Sequence, residues 1–397
     1  MSDTNSVTEL REALAELGDM DPSQAMTLPP ACYTSKDFLE LEKKEIFRKE
    51  WICLGRVDEI PKSGDYFTTE LVDEPLLVVR GKDGNVRVLS NVCRHRSSVI
   101  AEGDGNTKNF VCPYHAWTYA TDGQLLRAPY MDQVKGFDVK GCRLPEFATE
   151  IWGGFIYVNL DGKAKPLAPR LKALEPFIEN YHMDDMVHLM GEEDVWGANW
   201  KCLAENFMEG YHLSTLHYTG LHKITPTRLC KKIPGGEGYT GYISGYPAKL
   251  PQRKPYHPDL TDAEKRYSMM VWIYPSHVFA LGPDATIYLC LSPRAADQVA
   301  IKFGRAMFGS KANSKPSRKA TKGEMSTNQT MTEDREQIER LQAGLNSRYA
   351  ERYPLGPPDL EGTVWDMFQY LAGRLAPKSP AKPKMKRAAK PRLRRAS

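Results

Sequence analysis

A chain of 397 residues accommodates one large or two ordinary domains, and its 41% hydrophobic and 26% charged content is that of a soluble globular protein. No apolar run is long enough to span a membrane, and the polar, acidic stretch 1–19 lacks an apolar signal core, so the expected compartment is the cytoplasm. The net charge of +4 is uneven: nine Lys or Arg and no acid occur from Lys378 on, which leaves −5 for the rest and argues against a protein whose main business is nucleic acid.

In chain order, residues 1–40 read as an N-terminal extension, loosely ordered up to Pro29 and Pro30, with apolar touches at Leu10, Leu14 and Leu17. Ser35 to Trp51 predicts an amphipathic helix capped by Ser35. The period then changes to two. Strands are predicted at 68–71, 75–80, 86–91, 110–112, 117–119 and 151–160, with Lys82-Asp83-Gly84-Asn85 and Asp122-Gly123 as turns. Residues 41–160 are thus an all-β domain of short strands, interrupted by two loops that carry Cys and His. Residues 161–377 form a second, α+β domain. It is predicted to hold a helix at 167–181, a strand within 187–201, a helix from 203 and no clean period over 231–268. Three antiparallel strands follow at 269–279, 285–292 and 298–307, then a mobile polar loop over 309–330. A helix over 332–347 is capped by Thr332, with Glu333 and Asp334 in its first turn and Ile338, Leu341 and Leu345 as its apolar stripe. A last helix spans 364–375. The tail 378–397, basic and with three prolines, is predicted to be disordered.

The eight cysteines are scattered and suggest no disulfide scaffold. Two of them stand out by their neighbours: Cys93-Arg-His95 and Cys112-Pro-Tyr-His115. Each loop offers one thiolate and one imidazole. A zinc finger competes for this Cys₂His₂ set, but its cysteines usually share one knuckle and its histidines one helix. The mixed knuckles fit a [2Fe–2S] cluster in which two Cys hold one iron and two His the other. Tyr114 would then shield the cluster and Trp117 pack beneath it. The other six cysteines read as ordinary small buried side chains.

A second concentration of metal-binding groups lies in Ala204 to His217. Glu209 and His212, three apart on a predicted helix, share a face. His217 reaches the same point only if the helix ends, bends or widens near Ser214 and Thr215. Two histidines and a carboxylate on Fe(II) leave positions open for O₂ and substrate. The carboxylate is Glu209 or Asp334; the residues alone leave both open. Trp200, Phe207, Tyr211, Tyr218, Trp272, Tyr274, Phe279 and Tyr288 are core aromatics first and material for a cage around a cation second. His277 reads as a satisfied core histidine.

Cys93-x-His95, Cys112-x-x-His115 and Glu209-x-x-His212-x-x-x-x-His217, in this order, resemble the oxygenase (alpha) subunits of the Rieske non-haem iron oxygenases, over about residues 40–375. The resemblance implies a Rieske domain followed by a helix-grip catalytic domain with an antiparallel sheet and helices. It implies that His212, His217 and Asp334 bind iron, Asp334 because it stands with Glu339 and Gln342 as in the family's late ligand segment. Asn206 matches an asparagine near the iron. Glu209 would bridge His212 to His115 of a neighbouring subunit, which implies a ring of at least three copies, a homotrimer in the simplest case. Glutamate at this position is similar to the members that act on carnitine, choline and betaine. Electrons would come from NAD(P)H through a separate flavin and iron–sulfur reductase, since no dinucleotide or flavin fingerprint occurs in the chain. The implied reaction is hydroxylation of a quaternary or methylated amine with C–N cleavage or demethylation. The alternative is mono- or dioxygenation of an aromatic carboxylate. A Rieske protein that only transfers electrons would need no second metal triad.

Overall fold

The computed structural model describes residues 6–252, 256–308 and 329–377. The tail 378–397 and all but the last two residues of the loop 309–330 lie outside these ranges. Strands β1 (Ile52–Arg56), β2 (Asp65–Leu71), β3 (Glu74–Arg80), β4 (Val86–Ser90), β5 (Asp104–Asn106), β9 (Glu146–Trp152) and β10 (Phe155–Asn159) make one seven-stranded sheet in the order β1-β10-β9-β4-β3-β2-β5. Between β5 and β9 the chain adds a three-stranded sheet of β6 (Asn109–Val111), β7 (Thr118–Ala120) and β8 (Leu125–Arg127). Both predicted turns are present, with Gly84 (φ 82°) and Gly123 (φ 87°) supplying left-handed backbone that a side chain would strain.

The second sheet is antiparallel throughout. It consists of β11 (Val187–Trp196), β12 (Cys230–Lys232), β13 (Tyr239–Gly245), β14 (Tyr267–Ile273), β15 (His277–Leu281), β16 (Ala285–Ala295) and β17 (Gln298–Met307). Its order is β11-β17-β16-β15-β14-β13-β12. The Pro358–Leu375 helix packs on β12 and β13, and the Trp200–Phe207 helix packs on β16 and on the Gln329–Leu345 helix. These helices lay the mixed α+β architecture over the site.

Several expectations change. The N-terminal stretch is ordered: a Ser6–Glu9 capping box starts a helix over Val7–Gly18, and Leu10, Leu14 and Leu17 are fully buried against the Pro358–Leu375 helix. Each such leucine contributes roughly 1.5–3 kcal/mol by leaving water. The helix capped by Ser35 runs only over Lys36–Glu42, then widens over Lys43–Phe47 and stops before Trp51. The 167–181 helix is split into Leu167–Leu171 and Glu175–Ile178, because Pro176 has no N–H to continue the ladder and fits only a first turn. The 269–279 strand is the hairpin β14–β15, with Pro275 in its turn, so four strands stand where three were predicted. β13 escaped notice because it is buried on both faces and shows no alternation. Thr332 is no cap; the helix begins at Gln329, one turn earlier.

A buried ion pair ties the N-terminal region to the catalytic helix. Lys201 Nζ lies 2.8 Å from Glu42 Oε1, both side chains are without solvent exposure, and Trp200 Nε1 donates to the other oxygen at 3.0 Å. Tyr33, Phe38 and Trp200 surround the ammonium. Trp200 therefore cages a cation of the chain itself.

Candidate metal centres

The two Cys/His loops have the same backbone. The Cys93 carbonyl accepts from Ser97 N and Cys93 N donates to Ser98 O; the Cys112 carbonyl accepts from Ala116 N and Cys112 N donates to Trp117 O. Ser97 and Ala116 both sit at φ 56°, a left-handed conformation that a non-glycine residue adopts only where the surroundings demand it. Each loop thus buries its cysteine and lifts its histidine outward. Cys93 and Cys112 are 3% and 2% exposed, while His95 is exposed and His115 half-buried. The imidazoles converge, with His95 Nδ1 3.1 Å from His115 Nδ1. His95 stacks on Trp117 (4.9 Å between centroids, 5° between planes), and Tyr114 covers His115 at 3.8 Å. Tyr119 OH lies 3.3 Å from Cys93 Sγ and accepts from Arg94 N. Two buried sulphurs below and two facing nitrogens above suit a cluster with one thiolate-held and one imidazole-held iron.

In the catalytic domain the helix ends sooner than predicted. It runs over Trp200–Phe207, capped by Asn199, and closes at Met208. Gly210 N donates to Leu360 O and Thr363 Oγ1 donates to Met208 O, so the Pro358–Leu375 helix captures the backbone groups that would have extended the turn. Gly210 has no room for a side chain, since a Cβ would stand 2.6 Å from Cys230 Sγ. Glu209 and His212 therefore meet beyond a helix end, not on a helix face. The Glu209 carboxylate turns back on Tyr211 N and His212 N and also bonds His212 Nδ1. Nε2 of His212 is left to face the interior.

His217 is held in the same manner by Glu333, which the sequence marks only as a first-turn helix residue and not as part of the site. Its Oε2 lies 2.7 Å from His217 Nδ1, and Gln329 Nε2 donates to its other oxygen at 2.7 Å. Adjacency to Asp334 was the available signal, but alternate residues of a helix do not share a face and nothing else pointed to it. His212 Nε2 and His217 Nε2 lie 3.8 and 3.0 Å from one atom, Asp334 Oδ1. Ligand atoms of His212, His217 and Asp334 all fall within 4.8 Å of one another. Asp334 reaches them because its helix is anchored at both sides: Glu339 accepts from Gly197 N and Gln342 Oε1 from Asn199 N. Burial opposes a charge on His217, but the Asp334 and Glu333 carboxylates outweigh it and raise its pKa.

Asn206 and Glu209 line a cavity of about 930 Å³ with His212 at its wall. Glu205, Glu351 and Glu361 line it too, and among the described residues no Lys or Arg does. Burial pushes the Glu205 carboxyl up to about 8, although Tyr33 OH donates to it at 2.8 Å. Most of the candidate aromatics are core, as the sequence suggested first, and they form no cage. Trp272, Phe279 and Tyr288 are fully buried core, Tyr274 stacks on Tyr370, and Tyr211 and Tyr218 are exposed.

Comparison with known proteins agrees with this geometry. The Rieske [2Fe-2S] domain family model matches residues 50–138, and the ring hydroxylating alpha subunit (catalytic domain) model matches residues 179–376. The chain is 34% identical over 212 residues to a carnitine monooxygenase oxygenase subunit of Acinetobacter baumannii, which covers 52% of this chain and 56% of that protein. It is 31% identical over 318 residues to the benzene 1,2-dioxygenase subunit alpha of Pseudomonas putida, covering 75% and 64%. The chain thus spans a little over half of such relatives' length. A solved quaternary ammonium Rieske monooxygenase superposes with a TM-score of 0.78 at 23% identity, covering 92% of this chain and 98% of that one. Among the described residues no helix is long and apolar enough to cross a membrane. The residues fit both groups that these families carry. Cys93, Cys112, His95 and His115 offer the cluster's ligand set. His217 Nε2 and Asp334 Oδ1 are buried atoms without a properly directed hydrogen bond, as expected of lone pairs aimed at a common ion.

Proposed function

The chain belongs to the Rieske-type ring-hydroxylating oxygenase alpha subunits, and from that premise we propose that it is a terminal oxygenase acting on a quaternary or methylated amine. The observation that carries the reading is the single point in space shared by His212 Nε2, His217 Nε2 and Asp334 Oδ1, with a second carboxylate behind each histidine. Iron held there supplies O₂ activation beside the substrate, and the cluster supplies electrons one at a time. The protein residues have distinct tasks. Glu333 and Glu209 accept from the Nδ1–H groups, fix the tautomers and turn both Nε2 lone pairs inward. Asp334 completes the set. Asn206 lines the cavity that His212 also borders. A separate NAD(P)H-dependent flavin and iron–sulfur reductase delivers the electrons.

Electron transfer runs between copies of the chain, in a homotrimer, with Glu209 bridging His212 and the cluster histidine of the neighbour. Among the described residues the hydrogen bonds of the cluster tip stay within the tip and none reaches Glu209, which supports a bridge to the His115 of another copy. The two faces are complementary. The tip exposes Arg94 and Arg96, with Arg96 over Tyr114; the cavity carries Glu209, Glu351 and Glu361 and exposes Tyr211 and Tyr353.

The amine substrate is supported by the carnitine relative and by glutamate at 209. Ring hydroxylation is the second reading, favoured by the longer match to the benzene dioxygenase subunit. Substrate-dependent O₂ uptake with NADH and a promiscuous reductase decides between them. Formaldehyde or another cleaved aldehyde from quaternary methylamines is the expected product. Phenol or cis-diol from aromatic carboxylates overturns it, and peroxide must be measured to exclude uncoupled O₂ use.

A further inference from the structure

The other cysteines are not all inert filling. Cys53 on β1 and Cys290 on β16 lie 237 residues apart, yet Cys290 Sγ donates to Cys53 Sγ at 3.3 Å. The arrangement arises from two cross-strand pairs that face each other across the contact between the sheets. Cys53 is opposite Tyr157 in the first sheet, and His277 is opposite Cys290 in the second. Tyr157 OH lies 2.6 Å from His277 Nδ1. The other ring nitrogen, Nε2, is buried without a hydrogen bond in a residue only 1% exposed. One nitrogen of His277 and the two sulphurs fall within 4.8 Å of one another. Phe155 and Phe279 pack on the imidazole and hold its plane. A buried imidazole nitrogen with no partner is costly unless something binds it.

We propose that Cys53, Cys290 and His277 form a third metal site, for a soft d¹⁰ ion, Cu(I) or Zn(II), that joins the Rieske domain to the catalytic sheet. Two thiolates and one imidazole are the donor types that select such ions over Fe(II), Mg²⁺ or Ca²⁺. The Tyr157 oxygen accepting from Nδ1–H would orient the ring and leave the Nε2 lone pair for the ion, as ligating histidines generally require. A cavity of about 190 Å³ is lined by both cysteines together with Glu70, Glu193 and Asp194. Lys302 nearby is neutralised by Glu59 at 2.7 Å, so it does not repel a cation. Ion binding would release the thiol protons of Cys53 and Cys290 to solvent. Three ligands complete a trigonal Cu(I) site; Zn(II) would take a water from the cavity as a fourth.

The test uses the full chain loaded with the [2Fe–2S] cluster and the mononuclear iron. It is incubated anaerobically with one equivalent of Zn(II) or of Cu(I), desalted, counted for metals and measured at the zinc or copper X-ray absorption edge. One retained ion per chain is expected, with two sulphur neighbours at about 2.3 Å. In Cys53→Ala/Cys290→Ala retention falls at least tenfold while iron content and the cluster spectrum stay unchanged. No retained ion, a shell of nitrogen and oxygen alone, or undiminished retention in the double variant overturns the site. Undiminished retention would mean uptake by cluster loops that lacked iron. Non-reducing mass spectrometry showing Cys53 and Cys290 joined, two hydrogens lighter, with no ion bound, overturns it as well. Should the double variant fail to fold, the sulphur shell of the unaltered protein decides.

Discussion

The cluster loops and the iron triad solve one problem, two imidazoles aimed at one point, by opposite means. In the loops the backbone does the work: two turns with the same hydrogen bonds and the same left-handed residue place Cys below and His above. In the triad the side chains do it: Glu209 and Glu333 hold the two rings, and Asp334 arrives from a helix more than a hundred residues away. A backbone device is local and tolerates solvent, so its histidines stand at the surface. A side-chain device needs a packed wall, and His217 is accordingly buried.

That contrast can be broken at several points. The largest effects separate the two regions outright. Cys112→Ser removes the cluster spectrum and all reductase-driven turnover while iron bound by the triad, counted after cluster loss, remains. Asp334→Ala does the reverse, lowering turnover by more than about a hundredfold with the cluster spectrum intact. Next comes Glu209→Gln. Both metals stay loaded, and single-turnover oxidation of the cluster slows by about 10–100-fold, the usual range for lost support behind a ligand; full activity would refute the bridging role. Glu333→Gln sharpens the comparison within the triad. It weakens iron binding by about tenfold, so excess Fe(II) restores turnover, whereas iron does not rescue Glu209→Gln. The smallest effect is at the loops: Ser97→Gly relieves the left-handed strain and changes stability by no more than about 1 kcal/mol in thermal unfolding, with the cluster spectrum unaltered.

Legibility in the sequence follows the same division. The Cys93/His95 and Cys112/His115 pairs were visible because all four ligands sit within 23 residues on turns between short strands. His212 and His217 were visible, but the helix supposed to carry them was too long, since its end is set by Leu360 and Thr363 from a distant segment. The residues alone leave Glu209 and Asp334 both open as the third ligand, and only the family resemblance favours Asp334; in the structure Glu209 lies on Nδ1 of His212 and Asp334 faces its Nε2. Glu333, the Lys201–Glu42 pair and the Cys53–His277–Cys290 cluster have no local signature. Each depends on which strands and helices come to lie opposite one another. The N-terminal helix, by contrast, is written locally in Ser6-x-x-Glu9 and in leucines at 10, 14 and 17.

The capture of Met208 and Gly210 by the Pro358–Leu375 helix has a consequence for synthesis. A ribosome releases the segment bearing His212 and His217 long before it makes Leu360, Thr363 or Asp334. The Cys/His loops can close on their cluster while translation continues; the triad cannot form until the final described helix emerges and docks. Iron delivery to the second centre thus waits on the last described helix, and in the interval the nascent chain carries its leucine-rich first helix with its docking face unmet.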